Sequence, residues 1–401
     1  MSEWRNATIA DVAKIYDGPH ATPKKTTSGP LFLSISSLSN GRLELSESAH
    51  ISEEDFQKWT RRITPQKDDL LFSYETRLGE AALMPSGIRA CLGRRMGLLR
   101  PFPGCVDPRF LLYAYIGPEF QQTIRERTIH GATVNRIPLV DMGSWPIKLP
   151  PIQEQARIGA LLGAIDDKVA VNSRIVSTCE ELGESILYRA VDSDDRSQRI
   201  KLKDVATWLS GGTPRTSETR YWGGHIPWIS AASLKRFFII ESDRNVTDIG
   251  ASNGTRLVPA GALIFVVRGM SLKTEFRLGI AASQVAFGQD CKALIARDGI
   301  GSHALAYALR ARRQDVLERV DEAGHGTGRL ETALLGDLEI SLPGEASGRR
   351  IEEELRDISS LAIERLKESQ TLLMLRNQLL PKLMSGEIRV RDAERVVEEA
   401  V

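Results

Sequence analysis

Two histidines sit immediately before a glycine in loop-like stretches, His130 in "HGATVNR" and His325 in "HGTGR". Glycine lets a backbone approach a phosphate closely, and Thr, Asn and Arg side chains donate hydrogen bonds to one. Thr133, Asn135, Arg136, Thr327 and Arg329 are therefore candidate contacts to a nucleic acid. Other polar and basic groups lie in loops beside strand-like runs: Tyr74 and Arg77 in "SYETRLGE", Arg94 and Arg95 in "LGRRMG", Thr213 and Arg215 in "GGTPRT", Arg268 and Lys273 in "VVRGMSLKTEFR". Arginine can bond guanine with two parallel N–H groups, while Tyr, Ser and Thr typically hold phosphates or read base edges.

No motif for covalent chemistry stands beside these groups. "DPRF" at Asp107 is similar to the Asp/Asn-Pro-Pro-aromatic loop of amino-group DNA methyltransferases, but its third position is Arg and no Gly-rich methyl-donor loop precedes it. The better reading is a turn that starts a helix at Pro108. "GHGTG" at Gly324 lacks the lysine of a Walker loop, which excludes a nucleotide-driven motor on this evidence of sequence. Cys91, Cys105, Cys179 and Cys291 form no CxxC pair and read as reduced, buried thiols, not metal ligands. A formal net charge of +1 gives the whole molecule no strong field, although basic patches can hide within a neutral total. No apolar run reaches the roughly 18 residues of a membrane span, and the N-terminus lacks the apolar core of a secretory signal, so a cytoplasmic location is expected.

The elements that must position these groups occur twice. "IADVAKIYDGPHATP" from Ile9 is answered by "LKDVATWLSGGTPRT" from Leu202, "FLSISSL" by "WISAASL", and "IKLP" at Ile147 by "ISLP" at Ile340. After each Leu-Pro the chain turns helical. Apolar residues recur at helical spacing through Ile158, Leu162, Ile165, Val169, Val176, Cys179, Leu182 and Ile186, and again through Ile351, Leu355, Ile358, Ala362, Leu366, Leu372, Leu375, Leu379 and Leu383. A shift of about 193 positions superposes the two rows. A stripe this narrow is the seam of a helix pair, and each copy offers the other a partner. Asn172 interrupts the first stripe and Arg365 the second; an antiparallel pairing brings them together. A helix of about 40 residues is about 60 Å long, more than one DNA turn of about 34 Å.

The expected architecture is thus α+β: module 1–151, a long helix 152–192, module 193–345, a second long helix 346–390 and a fraying tail 391–401. The duplication, the start "LPPIQEQARIGALLGAIDDKVAVNSRI", the segment "LRNQLLPKLMSGEIRV" and the "DVA" opening of each module together resemble the specificity subunits of Type I restriction-modification enzymes. The resemblance implies two target recognition domains joined by two antiparallel helices, each domain reading half of a split, asymmetric site in double-stranded DNA. It implies no catalysis by this chain. Two methyltransferase subunits would use S-adenosylmethionine, and restriction subunits ATP and Mg, so this chain itself needs no cofactor or metal. One departure stands out, because the second copy replaces "PPIQEQ" by "PGEASGRR". Rival readings are a structural scaffold that never meets DNA, and a divergent methyltransferase.

Overall fold

The structure is a computed structural model that describes residues 4–19, 22–131, 134–323 and 327–400. The chain forms two compact units, one of residues 1–169 with 371–401 and one of residues 170–370. Each unit takes one segment of each long helix, Ile152–Asp192 and Glu345–Met384.

The duplication holds element by element. Arg5–Thr8 pairs antiparallel with Pro146–Leu149 in the first unit, and Gln198–Lys201 with Glu339–Leu342 in the second, so each module ends beside its own beginning. The main sheet of the first unit runs in the order Ala13–Asp17, Met96–Pro101, Leu70–Ser73, Ala81–Leu83. The second repeats it with Ala206–Ser210, Cys291–Ala296, Leu263–Val266, Leu278–Ala281 and an added edge strand, Phe238–Ile239. "LLFS" and "LIFV", the inner strands that lead to the candidate loops, are buried at every position. Such strands are held from both faces and give their loops a rigid base. Cys291 lies in the core around "LIFV" and Cys91 in a small cluster with Phe32 and Ile51, and burial pushes both thiols up to about 12.

A helix packs between sheet and long helix in each unit, Pro108–Ile116 and Ser302–Ala311. Their tyrosines occupy equivalent places: Tyr113 donates to Asp166 Oδ2 at 2.7 Å, and Tyr307 donates to Cys179 O at 3.4 Å, with Ser359, the residue matching Asp166 in the second copy, beside its hydroxyl. "DPRF" is the helix start read from the sequence, with Asp107 Oδ1 accepting from Phe110 N at 2.9 Å and Pro108 in the first turn.

A compensating difference between the copies lies just beyond the altered helix entry. In the first unit the cap carboxylate belongs to the short helix, and the long helix opposite carries Gly159. A Cβ there would lie 2.8 Å from Asp107 Oδ1 and 2.9 Å from Phe110 N. In the second unit Gly301 stands where Asp107 stood, and Glu352 stands where Gly159 stood. Its carboxylate reaches across to accept from His303 N at 3.1 Å and Ala304 N at 3.0 Å, with His303 Nδ1 at 2.8 Å. Carboxylate and glycine have traded sides of the same contact. Gln155, which accepts from Asp107 N at 3.0 Å and donates to Pro150 O at 2.8 Å, adds a second tie in the first unit.

Within each unit the helix segments run in opposite chain sense, early residues of one beside late residues of the other. Ile158, Leu162 and Ile165 share a core with Leu372, Leu379 and Leu383, with Val169 half-buried at its edge, and Arg376 Nη1 reaches Asp166 Oδ1 at 2.8 Å. In the second unit Val176, Cys179 and Leu187 pack with Ile351, Leu355, Ala362 and Leu366, and Ile358 is half-buried against them.

Three expectations are corrected. Asn172 does not meet Arg365 directly: its Nδ2 donates to Glu368 Oε2 at 3.0 Å and Ser369 Oγ at 3.2 Å, and Arg365 Nη1 lies 2.7 Å from the same Glu368 oxygen. The pairing register sets Asn172 one turn beyond Arg365, and Glu368 spans the turn. Leu182 is 44% exposed, not part of the seam. The inward position is Gly183, where a Cβ would fall inside the Tyr307 ring, so shape overrides residue type. The second long helix ends at Met384 after Pro381, Gly386 turns the chain at φ +73°, and the tail forms a helix, Val390–Ala400, with Val390 and Ala393 buried in the first unit.

Candidate nucleic-acid interface

Three loops of the first unit are laced into one junction. Tyr74 N donates to Arg95 O at 3.1 Å, Ile137 N to Tyr74 O at 2.8 Å, and Thr76 N to Asn135 O at 3.5 Å. Glu75 and Arg136 form an antiparallel bridge, and Arg136 is paired on its other side to Ile129. The junction brings together Tyr74, Arg77, Arg94, Arg95, Asn135 and Arg136. Thr133 lies outside the described residues.

Their side chains do different things. Tyr74 is only 6% exposed and belongs to the core, where burial raises its phenol pKa; it supports the junction and is corrected as a contact residue. Arg77 turns inward, donating to Ile35 O at 3.0 Å with Glu80 Oε1 3.3 Å away, so it is a clamp between loops. Arg95 takes a left-handed φ of +73° and sets its Nε 3.1 Å from Glu75 Oε2. Such a backbone costs about 1–3 kcal/mol and persists only where surroundings impose it; here the bond from Tyr74 N fixes it. Asn135 Oδ1 lies 3.3 Å from His130 Nδ1. Arg94, Asn135 and Arg136 are exposed and face outward from a fixed frame.

The second unit builds the same junction. Val267 N and Arg268 N donate to Asp290 O at 2.9 and 3.3 Å, and Leu330 N donates to Val267 O at 2.9 Å. Arg268 and Arg329 are in register across antiparallel strands, where the first unit has Glu75 and Arg136. Strand Thr327–Leu330 is also paired to Val320–Ala323, with Asp321 opposite Arg329. Lys273 closes the turn Met270–Lys273 beside this strand, and Gly328 is a glycine because a Cβ would lie 2.8 Å from Leu272 Cβ. Arg268, Lys273 and Arg329 are exposed and Thr327 is half-buried. His325 lies outside the described residues.

Thr213 and Arg215 are not joined to this junction. Their loop is tied to a smaller sheet of the same unit by Trp222 Nε1, which donates to Arg215 O at 3.2 Å, and Trp228 Nε1, which donates to Gly212 O at 3.1 Å. Sequence reasoning missed the group stacked there: the Arg244 guanidinium carbon lies 3.5 Å from the Trp222 ring centre and 5.7 Å from that of Trp228. No period signals it, because the strand is bulged between Trp222 and Ile226 and the two-residue alternation is interrupted there.

Residues 1–180 match the family model of the Type I restriction modification DNA specificity domain. The chain is 26% identical over 162 residues to the EcoR124I/EcoR124II specificity subunit of Escherichia coli, a stretch covering 40% of each protein. It is 25% identical over 176 residues to the MjaIX specificity subunit of Methanocaldococcus jannaschii, covering 43% of this chain and 40% of that one. The aligned stretches thus span two fifths of these relatives. The S subunit of a Type-I restriction-modification system from M. genitalium superposes with a TM-score of 0.62 at 17% identity, over 95% of this chain and 96% of that one. No helix among the described residues is long and apolar enough to cross a membrane. Residues 1–180 are thus similar to Type I restriction modification DNA specificity domains, and the chain shares its fold with the S subunit from M. genitalium.

Proposed function

We propose that the chain is the DNA-reading, non-catalytic subunit of a Type I restriction-modification complex in the cytoplasm. Each unit reads one half of a bipartite, asymmetric duplex site, while the two long helices set the gap and carry two methyltransferase subunits. S-adenosylmethionine is used on those subunits to methylate adenine, and ATP and Mg on the restriction subunits. The observation that supports this reading best is the repeated junction. Two equivalent backbone frames carry different side chains, a half-buried Glu75 paired with Arg95 beside an exposed Arg136 in one, and exposed Arg268 with Arg329 in the other. A common frame with unlike side chains suits two readers of unlike sequences, since phosphate contacts position a protein and base contacts specify.

Footprinting on a duplex library, with the chain assembled with methyltransferase subunits, tests it. Two protected blocks separated by an unprotected gap are expected. A single contiguous block, or none, overturns the proposal and favours a scaffold that never meets DNA.

A further inference from the structure

We infer that Arg268 and Arg329 form a two-guanidinium clamp for an acceptor-rich feature of duplex DNA, either a backbone phosphate or the O6/N7 edge of guanine, and that only the second unit has it. The inference rests on the DNA-reading proposal above and deepens it.

In-register residues on antiparallel strands have Cβ atoms about 4.5–5.5 Å apart and project from the same face, and like charges so placed oppose folding. Both arginines are exposed, and among the described residues neither makes an ion pair. Asp321 is opposite Arg329 on the far strand, yet it makes no ion pair with it. The fold does not require this repulsion. The first unit puts Glu75 at the position of Arg268, neutralises it with Arg95 and leaves one guanidinium, Arg136, outward.

The strand that carries Arg329 is paired on both sides and pressed by Leu272 against Gly328, so the backbone from which the two arginines project is held in place. Two unpaired cations on a rigid ribbon suit one anionic or doubly accepting partner. A two-stranded ribbon also fits the major groove.

The test uses the full chain, alone and with methyltransferase subunits, on duplexes that the unaltered chain selects from a random library. Replacing Arg268 and Arg329 together by Ala is expected to weaken binding about tenfold or more, with a smaller salt slope, by about 1 for each lost phosphate contact. Thermal unfolding without DNA should show no loss, because the change removes a repulsion. Loss that is equal for all duplexes and restored by Lys at both positions identifies a phosphate. Loss of discrimination at one position of the second half-site, not restored by Lys, identifies guanine, whose edge needs the arginine fork. Unchanged affinity, salt slope and selectivity in the double variant overturn the clamp while leaving the DNA-reading proposal intact. A parent chain that selects no duplex overturns that proposal, and the clamp with it.

Discussion

Exchange of the cap carboxylate between the copies makes a sharp stability prediction. In the second unit Glu352 accepts from two backbone N–H groups of the helix Ser302–Ala311 and lies 2.8 Å from His303 Nδ1. Glu352→Gly removes hydrogen bonds to a charged acceptor, worth about 2 kcal/mol together, and adds a helix-interior glycine, costing about 1 kcal/mol. The expected loss is about 3 kcal/mol. Gly301→Asp alone places a Cβ onto the Glu352 carboxylate and a second negative charge beside it, so it should destabilise by about 1–3 kcal/mol. The backbone itself accepts Asp, since Gly301 at φ −69°, ψ 129° matches Asp107 at φ −75°, ψ 130°. In the double variant the carboxylate introduced at position 301 can cap as Asp107 does, recovering about 1 kcal/mol over Glu352→Gly alone. The effect of Gly301→Asp thus changes sign with its neighbour, a coupling of about 2–4 kcal/mol. Hydrogen exchange at the His303 and Ala304 amides reads the cap locally, and urea unfolding reads the total. Additivity within about 0.5 kcal/mol would refute the exchange.

Other outcomes follow from the same contacts. Burial acts to raise the Glu352 carboxyl, but the bonds from His303 and Ala304 outweigh it and hold it below its usual 4.5. Its contribution is therefore complete above the ordinary glutamate range and fades as pH falls through the lowered value; acid titration of unfolding should lose that slope in Glu352→Gln. Gly183→Ala should cost about 1–3 kcal/mol by forcing a methyl into the Tyr307 ring, whereas Leu182→Ala should stay within about 0.5 kcal/mol; the reverse order in denaturant melts would restore the sequence-based seam. Removing one heptad from each long helix shortens each by about 10 Å, and the gap between half-sites should shrink by about three base pairs at roughly 3.4 Å each, checked by selection of bound duplexes, with both half-sites unchanged.

The parts of the fold with a period were legible in the sequence. The first long helix begins at Ile152, just after the Leu-Pro-Pro read as its start, because proline admits a first turn but not the middle of a helix. The apolar rows survive in the cores of both units because burial follows periodicity. What was not legible depends on shape and register. Leu182 and Gly183 differ by one position, and only the Tyr307 ring across the contact decides which faces inward. Asn172 was matched to Arg365 by repeat position, but antiparallel pairing measures from the opposite end, which puts Glu368 between them. The candidate loops were found because basic residues flank inner strands. Nothing in the sequence said that Tyr74 and Arg77 turn inward while Arg94 and Arg136 turn out, since that follows from where Ile35 O and Glu80 lie in space.

The most direct measurement is the map of methylated adenines in DNA from cells carrying this chain with the methyltransferase subunits proposed for it, before and after exchange of the second module, residues 193–345, for that of a known specificity subunit. The expected result is a two-part motif with a fixed gap, of which only one half changes on exchange. A single uninterrupted motif, or a change in both halves at once, would contradict the assignment of one half-site to each unit.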